Sequence, residues 1–174
     1  MKLGGLKPVD DRKIIERVLK GDTEAFNLLV RQWERPIYNF IVRMIGDRDE
    51  AMDLCQDSFM KAYKELETLK DRDRFSSWLY RIAHNTCFSK LRKNHGKTFV
   101  ELAQETSAGR VPIESRLAVE KALQYLPEDQ REVVVLKVFH GLKFEEIAAI
   151  QGAPVSTVKS RLYMGFEKLR SILE

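Results

Sequence analysis

Residues Phe144-Glu-Glu-Ile-Ala-Ala-Ile150 lead into Gln151-Gly-Ala-Pro154 and then Val155-Ser-Thr-Val-Lys-Ser-Arg-Leu-Tyr163. A short helix, a tight turn and a longer helix with small polar and basic side chains is the pattern of a helix-turn-helix, which implies base-edge contacts in a DNA major groove. In the second helix Val155, Val158, Leu162, Phe166, Leu169 and Ile172 share one stripe at helical spacing and must pack inward. At about 100° per residue, Ser156, Ser160 and Met164 fall opposite that stripe, flanked by Thr157, Lys159, Arg161 and Tyr163. Gly152 supplies the permissive backbone of the turn, and Pro154 suits a first helical turn, where its missing N–H would be orphaned anyway. An amphipathic helix pair with a solvated polar face carries the same pattern, so the rest of the chain has to decide.

At 174 residues and 44% hydrophobic content the chain has room for one domain or two small ones. Few Gly and Pro, abundant Leu, Lys, Glu, Arg and Ala, and no sustained period-two alternation predict an all-α protein. Cys55 and Cys87 fall inside helical patterns and read as small buried hydrophobes in a reducing compartment. The longest strictly apolar run, Val133 to Leu136, cannot cross a bilayer, and the N-terminus is charged where a signal peptide needs apolar residues. These features predict a soluble cytoplasmic protein that does not insert into a membrane. His84, His95 and His140 lack ligand spacing, and the pair His84-x-x-Cys87 lacks the further ligands of a zinc site. With no Gly-rich phosphate loop or nucleophile elbow either, the sequence predicts no catalytic activity, no cofactor and no metal.

Charge is unevenly laid out. Residues 46 to 71 hold eight acids against four bases, whereas residues 72 to 97 hold seven bases against Asp73 alone. One stretch suits a basic partner and its neighbour suits phosphate. Periodicity predicts an opening helix over Asp11 to Lys20, then two helices within Thr23 to Met44 split near Arg35-Pro36. Asp47 or Asp49 is the predicted cap of a helix through Leu66, with Met52, Cys55, Phe59, Ala62, Tyr63 and Leu66 inward. After a polar loop from Lys70 to Arg74, Ser76 or Ser77 is the predicted cap of a helix to about Asn94. Periodicity then fails, which predicts a flexible linker over 96–112 between a first domain, 1–95, and a second, 113–174. Pro127 restarts the second domain in a first-turn position.

Four stretches in order carry a resemblance: Gly21-Asp22-x-x-Ala25-Phe26; Ala51-Met-Asp53-Leu-Cys-Gln56-Asp-Ser-Phe59-Met-Lys-Ala62-Tyr63; Phe75-Ser-Ser-Trp78-Leu-Tyr-Arg-Ile82-Ala83-x-Asn85; and Leu126-Pro127 with the helix-turn-helix. Together the chain resembles an extracytoplasmic-function sigma factor over nearly its whole length. The resemblance implies a monomer that binds core RNA polymerase, brings it to promoter DNA and opens the strands at the start site. The first domain would be sigma-two, engaging the minus-ten element, and the second sigma-four, reading the minus-thirty-five element. It also implies an anti-sigma factor, often membrane-anchored.

By the same resemblance, Asp53, Gln56 and Asp57, which share the polar side of their helix, would dock on a basic-faced coiled coil of the polymerase. Arg81, Lys90, Arg92 and Lys93 can neutralise phosphates. Melting also needs a pocket for an unstacked base, and the loop with Arg74, Phe75 and Ser76, together with His84 and Asn85, is the candidate. Trp78 shares a stripe with Ile82 and reads as core. For the minus-thirty-five element the candidates are Ser156, Thr157, Lys159, Ser160, Arg161 and Tyr163, with Arg161 or Lys159 able to bond a guanine. Two departures from the family pattern stand out: Ser89 replaces an acid, and Met164-Gly165-Phe166 stands where bases often occur. Gly165, disfavoured in a helix interior by about 1 kcal/mol, points to close approach of another surface. The rival reading is a stand-alone helix-turn-helix regulator of duplex DNA, which would dimerise on palindromic half-sites.

Overall fold

The computed structural model describes residues 10–98 and 116–174. Eight α-helices and no strand occur among them: α1 (Asp11–Leu19), α2 (Phe26–Ile45), α3 (Arg48–Glu65), α4 (Phe75–Thr98), α5 (Arg116–Gln124), α6 (Glu128–Val134), α7 (Phe144–Gln151) and α8 (Val155–Leu173). The predicted linker lies outside the described residues except for 96–98, which continue α4. Helices α1–α4 pack into one unit and α5–α8 into a second.

Pro36 does not split the second helical segment; α2 runs straight through it. A proline in a helix interior removes one N–H, crowds the carbonyl four residues back and costs about 3 kcal/mol. Against that, Leu29, Ile37, Phe40, Ile41 and Met44 on the same helix are each 0% exposed, and each such side chain contributes roughly 1.5–3 kcal/mol on burial. Burial wins. Asp11 ties α1 to this helix by accepting from Gln32 Nε2 at 2.7 Å and Trp33 Nε1 at 3.1 Å.

Asp47 caps α3, its carboxylate accepting from the Glu50 N–H at 2.8 Å. The inward side of α3 is Ala51, Leu54, Cys55, Ser58, Phe59 and Ala62; Met52 and Tyr63, predicted inward, are about half exposed. Small residues line the seam because α2 and α4 both press on α3, and buried Ser58 donates to the Leu54 carbonyl at 2.7 Å, so its hydroxyl is satisfied. Neither Ser76 nor Ser77 caps α4. A 3₁₀ turn at Arg72–Arg74 feeds directly into it, capped by Asp71, which accepts from the Asp73 N–H at 3.1 Å.

In the second unit α6 opens after Pro127 and passes into a π-helical turn over Val135–Phe139. Gly152, at φ +63°, closes α7 in the left-handed region. Helix α8 buries Val158 and Leu162 as predicted, but its next inward position is Gly165, and Phe166 is 43% exposed. A Cβ on Gly165 would stand 3.0 Å from Val134 Cγ2. The glycine admits α6 where the sequence stripe called for a large side chain.

The two units are not separate bundles in this structure: one apolar core continues through both, and α4 packs on α7 while α2 packs on α5 and α6. The seam is polar. Arg131 of α6 donates to the carbonyls of Leu123 at 2.9 Å, Gln124 at 3.0 Å and Leu126 at 3.1 Å within its own unit, and to the Met44 carbonyl at the end of α2. Gln124 Nε2 donates to the Arg43 carbonyl at 2.8 Å, and the Arg43 guanidinium pairs with Glu120 at 3.0 Å. The Tyr80 hydroxyl lies 2.8 Å from His140 Nδ1. His84 Nδ1 lies 2.6 Å from a carboxylate oxygen of Glu132, which is fully buried.

Candidate polymerase and DNA surfaces

Because α3 buries its small residues against α2 and α4, its opposite side projects Asp53, Gln56 and Asp57 into solvent, one helical turn of unpaired acceptors. Lys90 and Lys93 of α4 line the far wall of the groove between α3 and α4, and Lys61 stands on the α3 side. Lys90 pairs with Glu50, and Lys61 Nζ donates to Thr86 Oγ1 at 3.3 Å. Lys90 is thus paired with the acidic helix. Sequence reasoning missed the apolar patch beside the acids, where exposed Met60 and Tyr63 adjoin Phe26, Val30 and Phe59. Only the count of apolar residues on α3, too many for one stripe, hinted at it.

Along the start of α4 the predicted residues divide. Phe75 is 1% exposed, packed edge-on to Trp33 with ring centroids 6.2 Å apart, so it belongs to the core and presents no face to a base. Trp78 tilts over Phe75 with centroids 5.8 Å apart and is half-buried, in line with its stripe. Ser76 is half-buried, while Arg74 is exposed and pairs with Asp71 at 3.2 Å. Arg81, Asn85, Arg92 and Lys93 are exposed along the helix. His84 is turned into the seam and held by Glu132. A cleft of about 200 Å³ opens beside the 3₁₀ turn, lined by Arg12, Lys70, Asp71, Arg72 and Asp73. Arg12 reaches it from α1, far away in sequence, and Arg72 is anchored by Glu16 at 2.9 Å.

On α8 the outward face carries Ser156, Lys159, Ser160 and Tyr163, all exposed, with Thr157 half-buried. Tyr163 is 66% exposed. Lys159 Nζ sits 5.5 Å from the Phe144 ring centroid, an attraction that leaves the ammonium at the surface. Arg161 is different: its guanidinium pairs with Asp129 at 2.7 Å and donates to Gln151 Oε1 at 2.8 Å, while Gln151 Nε2 donates to Glu132 at 2.9 Å. Arg161 is therefore held along the unit, and no local pattern signals its Asp129 partner thirty-two positions upstream.

Burial holds the Cys55 thiol up at about 11 and pushes the Cys87 thiol higher still, with Glu132 adding to the second effect. Neither is a ready thiolate. His140 is driven down to about 4 by burial and then by Arg43, so its ring is neutral. Among the described residues no helix is long and apolar enough to cross a membrane.

Residues 29–97 match the family description Sigma-70 region 2, and residues 116–169 match Sigma-70, region 4. The RNA polymerase sigma-H factor of Pseudomonas aeruginosa is 34% identical, with 94% of each chain covered. The ECF RNA polymerase sigma factor SigW of Bacillus subtilis is 32% identical over 93% of this chain and 96% of the other. Among solved structures, the sigma factor RpoE in complex with the anti-sigma factor NepR from Bartonella quintana superposes with a TM-score of 0.72 at 27% identity, covering 85% of this chain and 96% of that one. CnrH in complex with the cytosolic domain of CnrY shares the fold, with a TM-score of 0.71 over 95% of this chain and 97% of that one at 24% identity. With two sigma-70 regions in order, and full-length relatives that are sigma factors, the chain belongs to the extracytoplasmic-function family of RNA polymerase sigma factors.

Proposed function

We propose that this chain joins core RNA polymerase through α3, engages the minus-ten element through α4 and the 3₁₀ turn before it, and reads the minus-thirty-five element with α8. The domains divide at 1–95 and 113–174, with 96–112 as the connection. The observation that carries this reading is the pairing, in one chain, of two exposed faces of different chemistry: acceptors at Asp53, Gln56 and Asp57 on α3, and hydroxyls with Lys159 and Tyr163 on α8. Carboxylates repel DNA and attract a basic protein surface, whereas short hydroxyls and a lysine suit base edges and phosphates. Arg81, Asn85, Arg92 and Lys93 supply the α4 contacts, with Arg74 and Ser76 at the approach to the cleft that would take an unstacked base. Arg161 acts by bracing α8 in its unit rather than by bonding a guanine. The protein works in the cytoplasm as a monomer, needs no cofactor and catalyses no reaction itself. An anti-sigma partner follows from the likeness to a sigma factor solved with one.

Run-off transcription with purified core polymerase tests the reading. Added protein is expected to yield transcripts from discrete start sites, and Asp53→Lys with Asp57→Lys to abolish them while leaving α8 intact. Absence of any promoter-specific transcript from a genomic template set would refute it. A stand-alone regulator would instead shift duplex DNA without polymerase and dimerise on a palindrome.

A further inference from the structure

In the stretch Met164-Gly165-Phe166 of α8, Gly165 is explained by the close approach of α6. Met164 is not explained by packing. Its side chain is 45% exposed, and at 3.6 residues per turn it continues the outward line of Ser156 and Ser160, both exposed, instead of the inward stripe. A single exposed apolar residue is ordinary on a protein surface, but this one stands on the face assigned to DNA. That face has two chemically distinct ends. Ser156, Lys159 and Ser160 make the first end polar, whereas Tyr163, 66% exposed, and Met164 make the second largely apolar. From Ser156 to Met164 the helix advances about 12 Å, which spans roughly three to four base pairs at about 3.4 Å each. The two ends therefore meet different base pairs.

The cations of α8 are turned away from the apolar end. Arg161 is held by Asp129 and Gln151, and Arg170 pairs with Glu174 at 2.6 Å. Lys159 leans on the Phe144 ring, 5.5 Å from its centroid, at the polar end. Lys168 falls on the flank, and exposed Glu167, which shares the outward side, repels phosphate. Guanine shows only acceptors in the major groove, so a base pair there has no donor to reward it. Thymine shows a 5-methyl group, which an apolar side chain satisfies without a hydrogen bond. Methionine, unbranched and polarizable, can adapt its thioether to that methyl group. We propose that Met164 is a specificity-determining residue of the minus-thirty-five contact, selecting thymine at one base pair by packing on the 5-methyl group. The element read by this chain is thus polar-coded at one end and methyl-coded at the other. This deepens the assignment of α8 to the minus-thirty-five element and rests on it.

Holoenzyme assembled from core polymerase and the full chain tests this by selecting from duplexes randomised over the upstream element, with the bound sequences counted for wild type, Met164→Ala and Met164→Arg. One position is expected to change alone. Wild type should prefer thymine there, Met164→Ala should show no preference, and Met164→Arg should prefer guanine about tenfold, because a guanidinium can bond O6 and N7 together. Replacing that thymine with deoxyuridine then removes the methyl group and alters no hydrogen bond. Wild type is expected to bind the deoxyuridine duplex about fourfold more weakly, the scale of one buried methyl group. Met164→Leu keeps the apolar bulk and should lose as much, whereas Met164→Ala should bind both duplexes equally. Alanine and leucine are strong helix formers and the position is exposed, so folding is not at stake. Three results overturn Met164 as the reader: a wild-type preference for another base at that position, a preference pattern untouched by Met164→Ala, or a deoxyuridine effect equal in wild type and Met164→Ala. A wild-type holoenzyme that selects no upstream element at all condemns the assignment of α8 instead, so the two failures are told apart.

Discussion

The interiors of the two units and the seam between them balance apolar and polar contact differently. Inside the first unit, Phe75 and Tyr80 meet Trp33 edge to face and Phe40 meets Tyr80 in the same way, and the apolar side chains around them are nearly all inaccessible. Inside the second, Val133 to Leu136 meet Ile147, Ile150, Val158 and Leu162 in a purely aliphatic fill. At the seam the same protein brings together arginine, glutamate, glutamine, histidine and tyrosine, and leaves two nitrogens unpaired. Apolar burial is non-directional and strongly favourable, so the interiors resist separation whatever the angle. Polar pairing is directional, weak on balance because water competes for every group, and tunable by a single charge. The lesson is that a sigma factor of this build can keep each half rigid while letting the halves part.

The contrast is broken most severely from the inside. Phe75→Ala is expected to cost about 3–5 kcal/mol, the price of an emptied aromatic site, and to lower the urea midpoint of the first unit without altering the distance between units in molecules that remain folded. A loss under about 1 kcal/mol would mean that the interior is as adjustable as the seam. Acid probes the seam itself. Free histidine protonates near 6.5, whereas His140 does so only near 4. Between those values the opened or unfolded chain binds a proton that the closed one refuses, so closure is at full strength above about pH 6.5 and weakens as pH falls towards 4. The whole shift corresponds to roughly 3 kcal/mol. Wild type carrying fluorophores on Asn27→Cys and Lys168→Cys, exposed positions on different units, should open on the acid side when scanned from pH 8 to 4.5, and His140→Phe should flatten that dependence. A variant as acid-sensitive as wild type would assign the effect to other groups.

Sequence periodicity recovered the helical class, the order of elements and the helix-turn-helix because these depend on neighbours within one helix. Asp47 as a cap and Val158 and Leu162 as inward residues are legible for that reason. Pro36 misled because a local rule met a helix whose burial is set by five others. Phe75 misled because a loop aromatic and a core aromatic look alike until the fold shows which side Trp33 occupies. The seam was invisible altogether: nothing in the chain near His84 names Glu132, and nothing near Arg161 names Asp129. Charge pattern put an acidic block on α3 and a basic block on α4, but which cations remain free depends on partners such as Glu50 for Lys90.

Arg131 belongs to both halves of the comparison, since three of its acceptors lie in its own unit and one, the Met44 carbonyl, lies across the seam. Removing it leaves carbonyls at the end of α5 without donors. Arg131→Ala is therefore expected to destabilise the second unit by roughly 2–3 kcal/mol, the scale of buried hydrogen bonds to a charged group, and to lengthen the distance between units as well. Arg131→Lys keeps the charge but cannot fork to several carbonyls, and should show both effects in part. If only the distance changed, Arg131 would be a seam residue alone.

The smallest expected effect sharpens what tight packing means inside the second unit. Gly165 lets α6 close on α8, and a methyl group there would stand 3.0 Å from Val134 Cγ2 and 3.6 Å from the Gln130 carbonyl. Alanine gains about 1 kcal/mol in helix propensity over glycine, and the Val134 methyl must give by a few tenths of an ångström to accept it. The two terms oppose each other at similar size, so Gly165→Ala should change the denaturation midpoint of the second unit by less than the equivalent of about 1 kcal/mol. Gly165→Val offers no such balance: its second branch has nowhere to go between the helices, and overpacking of that kind costs about 1–3 kcal/mol. Equal effects from both substitutions would show that α6 moves freely on α8, and the interior would then share the looseness that distinguishes the seam.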